Sequence, residues 1–216
     1  MVSRTLVWFR RDLRIYDHEP LHRAALRGVV IPVFIFDRSL LRHPETGAAR
    51  VAFMVDCLRH LDQDLRRLGG RLILRHGDPT EVLPQLIEAT QADGIYSYTD
   101  CERIYGRVRD ARLNQVLADR QMKIRWFEPV ASSPELMAYP RYRQWWYQEV
   151  SAPVVPVPAR VEVPADLESD ELPELEHLGH RADGKPIPTG RTRAARQLLP
   201  RFLVETSDRS YCPLSS

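Results

Sequence analysis

Short apolar runs alternate with helical stripes from Leu6 to Phe127. Leu6-Val7-Trp8-Phe9 is an apolar run bounded by charge, which predicts a strand buried on both faces. The chain leaves it through Arg10, Arg11, Asp12, Arg14 and Asp17, and Asp17 followed by Pro20 signals a helix start. Val29 to Phe36 carries no polar side chain and predicts the most deeply buried strand, ending at Asp37-Arg38. Pro32 lacks a ladder donor and suits a central strand only near its beginning. Val51, Met54, Leu58, Leu61, Leu65 and Leu68 recur at spacings of three and four, an apolar stripe on a long helix that Gly69-Gly70 closes. Leu72-Ile73-Leu74, Gly94 to Tyr98 and Lys123 to Phe127 read as three further strands. Asp78-Pro79-Thr80-Glu81 supplies a cap, a proline at N1 and a glutamate at N3, opening a helix that buries Val82, Leu83, Leu86 and Ile87. Another helix, through about Leu117, separates the last two strands.

This alternation predicts an α/β fold, a five-stranded parallel sheet with helices on both faces and right-handed crossovers. From Ser151 the texture changes. Residues 151–188 hold seven prolines and the acidic run Asp166, Glu168, Asp170, Glu171, Glu174 and Glu176, the composition of an extended linker. The expected layout is an α/β domain over 1–150, a linker over 151–188 and a short C-terminal helical segment over 189–216. Ligands of open α/β sheets bind at the carboxyl ends of the strands. The charged loop after the first strand lies there, and its charges either pair with one another to hold the loop or face a ligand.

The chain has 216 residues, 44% hydrophobic and 28% charged, the profile of a soluble globular protein. A net charge of +2 gives no bulk electrostatic case for nucleic-acid binding. Cys57, Cys101 and Cys212 are odd in number and widely spaced, which fits no disulfide framework and suggests a reducing cytoplasm. No apolar run approaches the ~18 residues of a membrane helix, so no membrane partner is expected. The sequence has no Walker loop, no G-x-G-x-x-G after the first strand, no G-x-S-x-G and no H-E-x-x-H. His18 and His22 share a helical face but lack a third ligand, so no metal site is expected. Cys101 follows the fourth strand and, with no basic partner in evidence, reads as a buried thiol.

Trp8-Phe9-Arg10-Arg11-Asp12-Leu13-Arg14, followed by Asp17-His18-Glu19-Pro20-Leu21, resembles the opening of the DNA photolyase/cryptochrome family. The match is to the N-terminal α/β domain and is nearest to deazaflavin-type class I photolyases. It implies a Rossmann-like sheet with the first strand central. Glu171-Leu172-Pro173-Glu174-Leu175 resembles the end of the family's connector, and Thr189-Gly190-Arg191-Thr192 the helix after it, with Arg191 replacing a glutamate. The flavin-binding half of the family is not matched. FAD is therefore not expected on this chain alone, and Tyr211 to Ser216 would begin a flavin clasp without finishing it. In a complete protein the implied reaction is light-driven splitting of pyrimidine dimers, the deoxyribodipyrimidine photo-lyase activity; this chain alone is not expected to repair DNA.

What the resemblance implies for this chain is an antenna pigment: an 8-hydroxy-deazaflavin ahead of methenyltetrahydrofolate or FMN. The pocket would lie among the loops after strands one, two and four. Those loops offer Arg10 and Arg11, Phe36 and Asp37, then Asp100, Cys101, Glu102 and Arg103, with Arg50 from the long helix. Cys101 and Arg103 stand where deazaflavin-type members are acidic. The implied partner is a flavin-binding helical domain, in the same protein or on a separate chain, and DNA would be met only through the complete protein. Tyr139, Arg141, Tyr142, Arg143, Trp145, Trp146 and Tyr147 form an aromatic and basic strip that suits either single-stranded nucleic acid or packing under the connector. The alternative function is a small-molecule-binding or protein-docking module without photochemistry.

Overall fold

β1 (Ser3–Phe9) lies at the centre of a five-stranded sheet with β2 (Gly28–Phe36), β3 (Ile73–His76), β4 (Gly94–Tyr98) and β5 (Ile124–Phe127). The order is β3-β2-β1-β4-β5 and every pairing is parallel, in the arrangement that the resemblance implies. The structure is a computed structural model and describes residues 3–100, 104–129, 139–150, 153–182 and 184–207. From Thr5 to Phe9 the side chains of β1 alternate between opposite layers, all at most 2% exposed. Val7 and Phe9 face α1 (Glu19–Ala25) and α3 (Ala48–Arg67), whereas Leu6 and Trp8 face α4 (Pro79–Thr90) and α5 (Ile104–Asp119). A strand covered on both sides has no polar face to show, hence its unbroken apolar run.

α3 buries Val51, Val55, Leu58, Leu61 and Leu65 and passes through Leu68 into Gly69, whose φ of +88° is the left-handed turn that favours glycine. α4 opens as its sequence predicts, with the Asp78 carboxylate accepting from the Thr80 N–H and Pro79 in the first turn. α2 (Arg38–Leu41), α6 (Tyr139–Val150) and α7 (Thr192–Ser207) complete the α-helices among the described residues, and a single 3-10 turn spans Glu176–Leu178.

Three local findings differ from the sequence reading. The cap of α1 is His18 rather than Asp17: Nδ1 of His18 accepts from the Leu21 N–H at 3.1 Å. Asp17 instead takes φ 50° and exchanges two hydrogen bonds with Val155. Pro32 falls in the middle of β2, not near its start. By strand alternation its nitrogen faces the same side as that of Val30, whose N–H donates to the Glu162 carbonyl, and β3 begins pairing only at Val33. Its missing donor therefore costs no ladder bond.

The proline-rich segment is extended, yet it buries Val161 and Leu178 within the core that α1 and α3 share. The Val161 N–H donates to Leu68, the Asp170 N–H to Leu74, and the Leu74 N–H to the Ser169 hydroxyl. This strap covers the outer edge of β3, whose backbone groups would otherwise lack partners. Among the described residues no helix is long and apolar enough to cross a membrane.

Candidate functional site

A cavity of about 740 Å³ opens where the C-terminal ends of β1 and β2 and the loop after β4 meet the first turns of α3. That is the place at which open α/β sheets take ligands, and the volume suits a small organic molecule. Its walls are mostly apolar, with Trp8, Phe34, Phe53, Met54 and Leu198 among them. Residues 188–192 and α7 close one side, anchored where the Gly190 N–H donates to Asp56 at 2.7 Å. A Cβ on Gly190 would lie 2.6 Å from the Cys57 sulfur, so a side chain there would force the wall off α3.

The inner end is a network of five charges. Nη1 of Arg10 donates to both carboxylate oxygens of Asp110 at 2.8 and 2.9 Å, and Nη2 donates to the Tyr98 carbonyl. Its guanidinium lies over the rings of Trp8 and Trp126, 4.7 and 5.2 Å from their centroids. Burial pulls the Arg10 guanidinium below its ordinary value while Asp110 opposes the shift. Arg109 sits among three carboxylates, 3.0 Å from Asp110, 3.6 Å from Asp100 and 3.7 Å from Asp37. The Tyr105 hydroxyl donates to Asp37 at 2.6 Å. Burial and then this bond to a carboxylate push the Tyr105 phenol up to about 12. Gly106 leaves the space that the Asp100 carboxylate occupies, 2.3 Å from where a Cβ would stand. Three carboxylates against two guanidiniums leave the network rich in acceptors.

The loop after β1 is fixed from below. Asp12 accepts the Arg10 N–H at 2.8 Å and meets Nε2 of His18 at 2.5 Å. Because Nδ1 of His18 is the helix-capping acceptor, Nε2 carries the proton that Asp12 receives.

The residues singled out in the sequence separate into three groups. Arg10, Arg11, Asp37, Arg50 and Asp100 line the cavity. Phe36 does not: it is 1% exposed within the core, with the exposed His76 ring stacked on it at 4.7 Å, and Phe34 and Ile35 take the place at the cavity. Cys101, Glu102 and Arg103 lie outside the described residues, as do Cys212 and the segment Tyr211 to Ser216. The aromatic strip is α6, with Tyr139, Trp146 and Tyr147 exposed. Arg109, Asp110 and Tyr105 were not singled out. Arg109 was detectable: Gly106, Arg109, Leu113 and Leu117 are the buried face of α5, and an arginine on such a stripe needs internal carboxylates.

The DNA photolyase family profile matches residues 5–131, more than half of the chain. The chain belongs to the DNA photolyase family. It is 31% identical to a deoxyribodipyrimidine photo-lyase of Synechococcus sp. (strain ATCC 27144 / PCC 6301 / SAUG 1402/1), covering 92% of this chain but 45% of that relative. It is 32% identical to an uncharacterized 31.6 kDa protein from the atpI 5′ region of Synechococcus sp. (strain PCC 6716), covering 91% of this chain and 74% of that one. A bacterial class III photolyase from Agrobacterium tumefaciens superposes with a TM-score of 0.75 at 25% identity, over 94% of this chain and 45% of its own. An archaeal photolyase from Sulfolobus tokodaii, solved with two FAD molecules and an implied light-harvesting cofactor, gives 0.71 at 26% identity, over 91% and 46%. This chain thus spans the N-terminal photolyase domain and just under half the length of the photolyases it matches.

Proposed function

We propose that this photolyase domain holds a planar antenna pigment in the cavity at the strand ends. The reading rests above all on the cavity itself, a space of about 740 Å³ with aromatic and aliphatic walls and a polar inner end. Those walls fit the chemistry of a conjugated ring: Trp8, Phe34 and Phe53 offer faces and edges for stacking. The network of Asp37, Asp100, Asp110, Arg10 and Arg109 offers acceptors to ring N–H groups and, through the guanidiniums, donors to ring carbonyls. Its members are locked by one another, so the pigment would be oriented by groups that do not move to meet it.

Bound there, such a pigment supplies absorption in the near-ultraviolet or blue and transfers excitation without bond chemistry. The chain's own residues exclude water, fix the ring plane and hold the polar edge. An 8-hydroxy-deazaflavin is the first candidate, with methenyltetrahydrofolate and FMN next. The receiving flavin would belong to a helical domain, in the same protein or on a separate chain, and light-driven repair of pyrimidine dimers would be the work of that whole assembly.

Reconstitution tests the reading. Purified protein is titrated with 8-hydroxy-5-deazaflavin, methenyltetrahydrofolate and FMN, followed by absorbance and fluorescence. One of them is expected to bind with one-to-one stoichiometry, and Met54→Trp, which fills the cavity, to weaken it about tenfold or more. Binding of none, or binding indifferent to Met54→Trp, contradicts the reading.

A further inference from the structure

The arginines around the cavity are not equivalent. Arg10 and Arg109 are neutralised by Asp110, Asp37 and Asp100. Arg14 donates to the carbonyls of Tyr16 and Asp17. Arg50 and Arg191 differ: both line the cavity, both are exposed, and neither side chain has a hydrogen bond or ion pair among the described residues. The two carboxylates in the lining, Asp37 and Asp100, both face Arg109 and are not available to them. Among the described residues the apolar cavity carries two unpaired guanidiniums and no spare carboxylate, which suits more than a neutral ring.

Their backbones are held on the same helix. Arg50 lies in the first turn of α3, and Gly190, next to Arg191, packs on Cys57 and bonds to Asp56 of that helix. Residues 50 and 57 are two turns apart on one face, an axial separation of about 10 Å. Two extended arginine side chains can close that gap on a single anion, and a guanidinium fork matches a phosphate's oxygens in pairs.

We propose that Arg50 and Arg191 form a clamp for a phosphate ester on the tail of the cavity's ligand, so that this domain selects a phosphorylated pigment over the same ring without phosphate. The proposal rests on the pigment reading given above. It predicts a ligand whose ring meets the buried charge network and whose phosphate stays at the exposed side between α3 and the segment entering α7.

The test compares two matched pairs of probes, riboflavin with FMN, and 8-hydroxy-5-deazariboflavin with its 5′-phosphate, by fluorescence titration of the full chain. Within the pair that binds, the phosphorylated member is expected to bind about tenfold tighter or more. That ratio should fall towards one in Arg191→Gln and in Arg50→Gln, and should shrink as salt is raised. Inorganic phosphate alone is included to separate a ring-dependent clamp from a simple anion site. Equal binding of the two members of a pair, a ratio that survives both substitutions, or inorganic phosphate competing as well as the phosphorylated pigment overturns the clamp and leaves the pigment reading standing. Failure of all four ring compounds to bind overturns the clamp, and failure of methenyltetrahydrofolate as well overturns the pigment reading with it.

Discussion

Asp12 carries the loop that delivers Arg10 to the site. Burial alone would raise its carboxyl, but the hydrogen bond from His18, with that from the Arg10 N–H, holds it below the ordinary value of 3.8. A depressed folded-state value stabilises the protein above the unfolded value, and that stabilisation is lost as pH falls through the folded one. Asp12→Asn is therefore expected to cost about 1–3 kcal/mol near neutral pH. The penalty should shrink in urea melts as pH falls below the ordinary 3.8 and through the folded-state value, where the wild-type carboxyl becomes protonated. A second residue reports on the cavity directly. Burial and then the Asp56 charge raise the Cys57 thiol from 9.0 to about 11. Alkylation of Cys57, followed by peptide mass mapping, should be slow at neutral pH and quicken only as pH approaches that value. A bound pigment should slow it further, because Cys57 lines the cavity.

At the scale of elements, the strands and the two long helices were legible because each obeys a single rule. A strand covered on both sides must be apolar throughout, as in Leu6 to Phe9, and a helix covered on one side must carry a stripe, as in Val51 to Leu65. The strap was legible as extended but not as packed: composition gives no sign that Val161 fills the space above Gly70, where a Cβ would lie 2.6 Å from its methyl group. Val161→Ala should cost about 2 kcal/mol in chemical denaturation, an effect a solvated linker would not show. The cavity's outer wall was the least legible part. Gly190 meets Asp56 across 134 residues of chain, a contact set by the path of the strap and by no local pattern. Gly190→Ala should destabilise the fold by about 1–3 kcal/mol or detach that wall, and pigment affinity should fall in either case. The charge network was half legible. Arg10, Asp37 and Asp100 stand in loops that follow strands, but Arg109, Asp110 and Tyr105 lie on a helix whose apolar stripe is weak.

For the whole molecule, the family match ends at residue 131, while the cavity is completed by residues 188–198. The α/β sheet provides the floor and the charges; the strap returns the chain to α3 and provides the lid-side wall. The proposed pigment binding would thus depend on both parts together. The most direct measurement of that proposal is the near-ultraviolet and blue absorption spectrum of the protein purified from its native cells. A band at one pigment per chain, lost on release of the small molecule and regained on its return, is the predicted result. A protein that leaves its own cells colourless, and stays so when the pigments are added back, would contradict it.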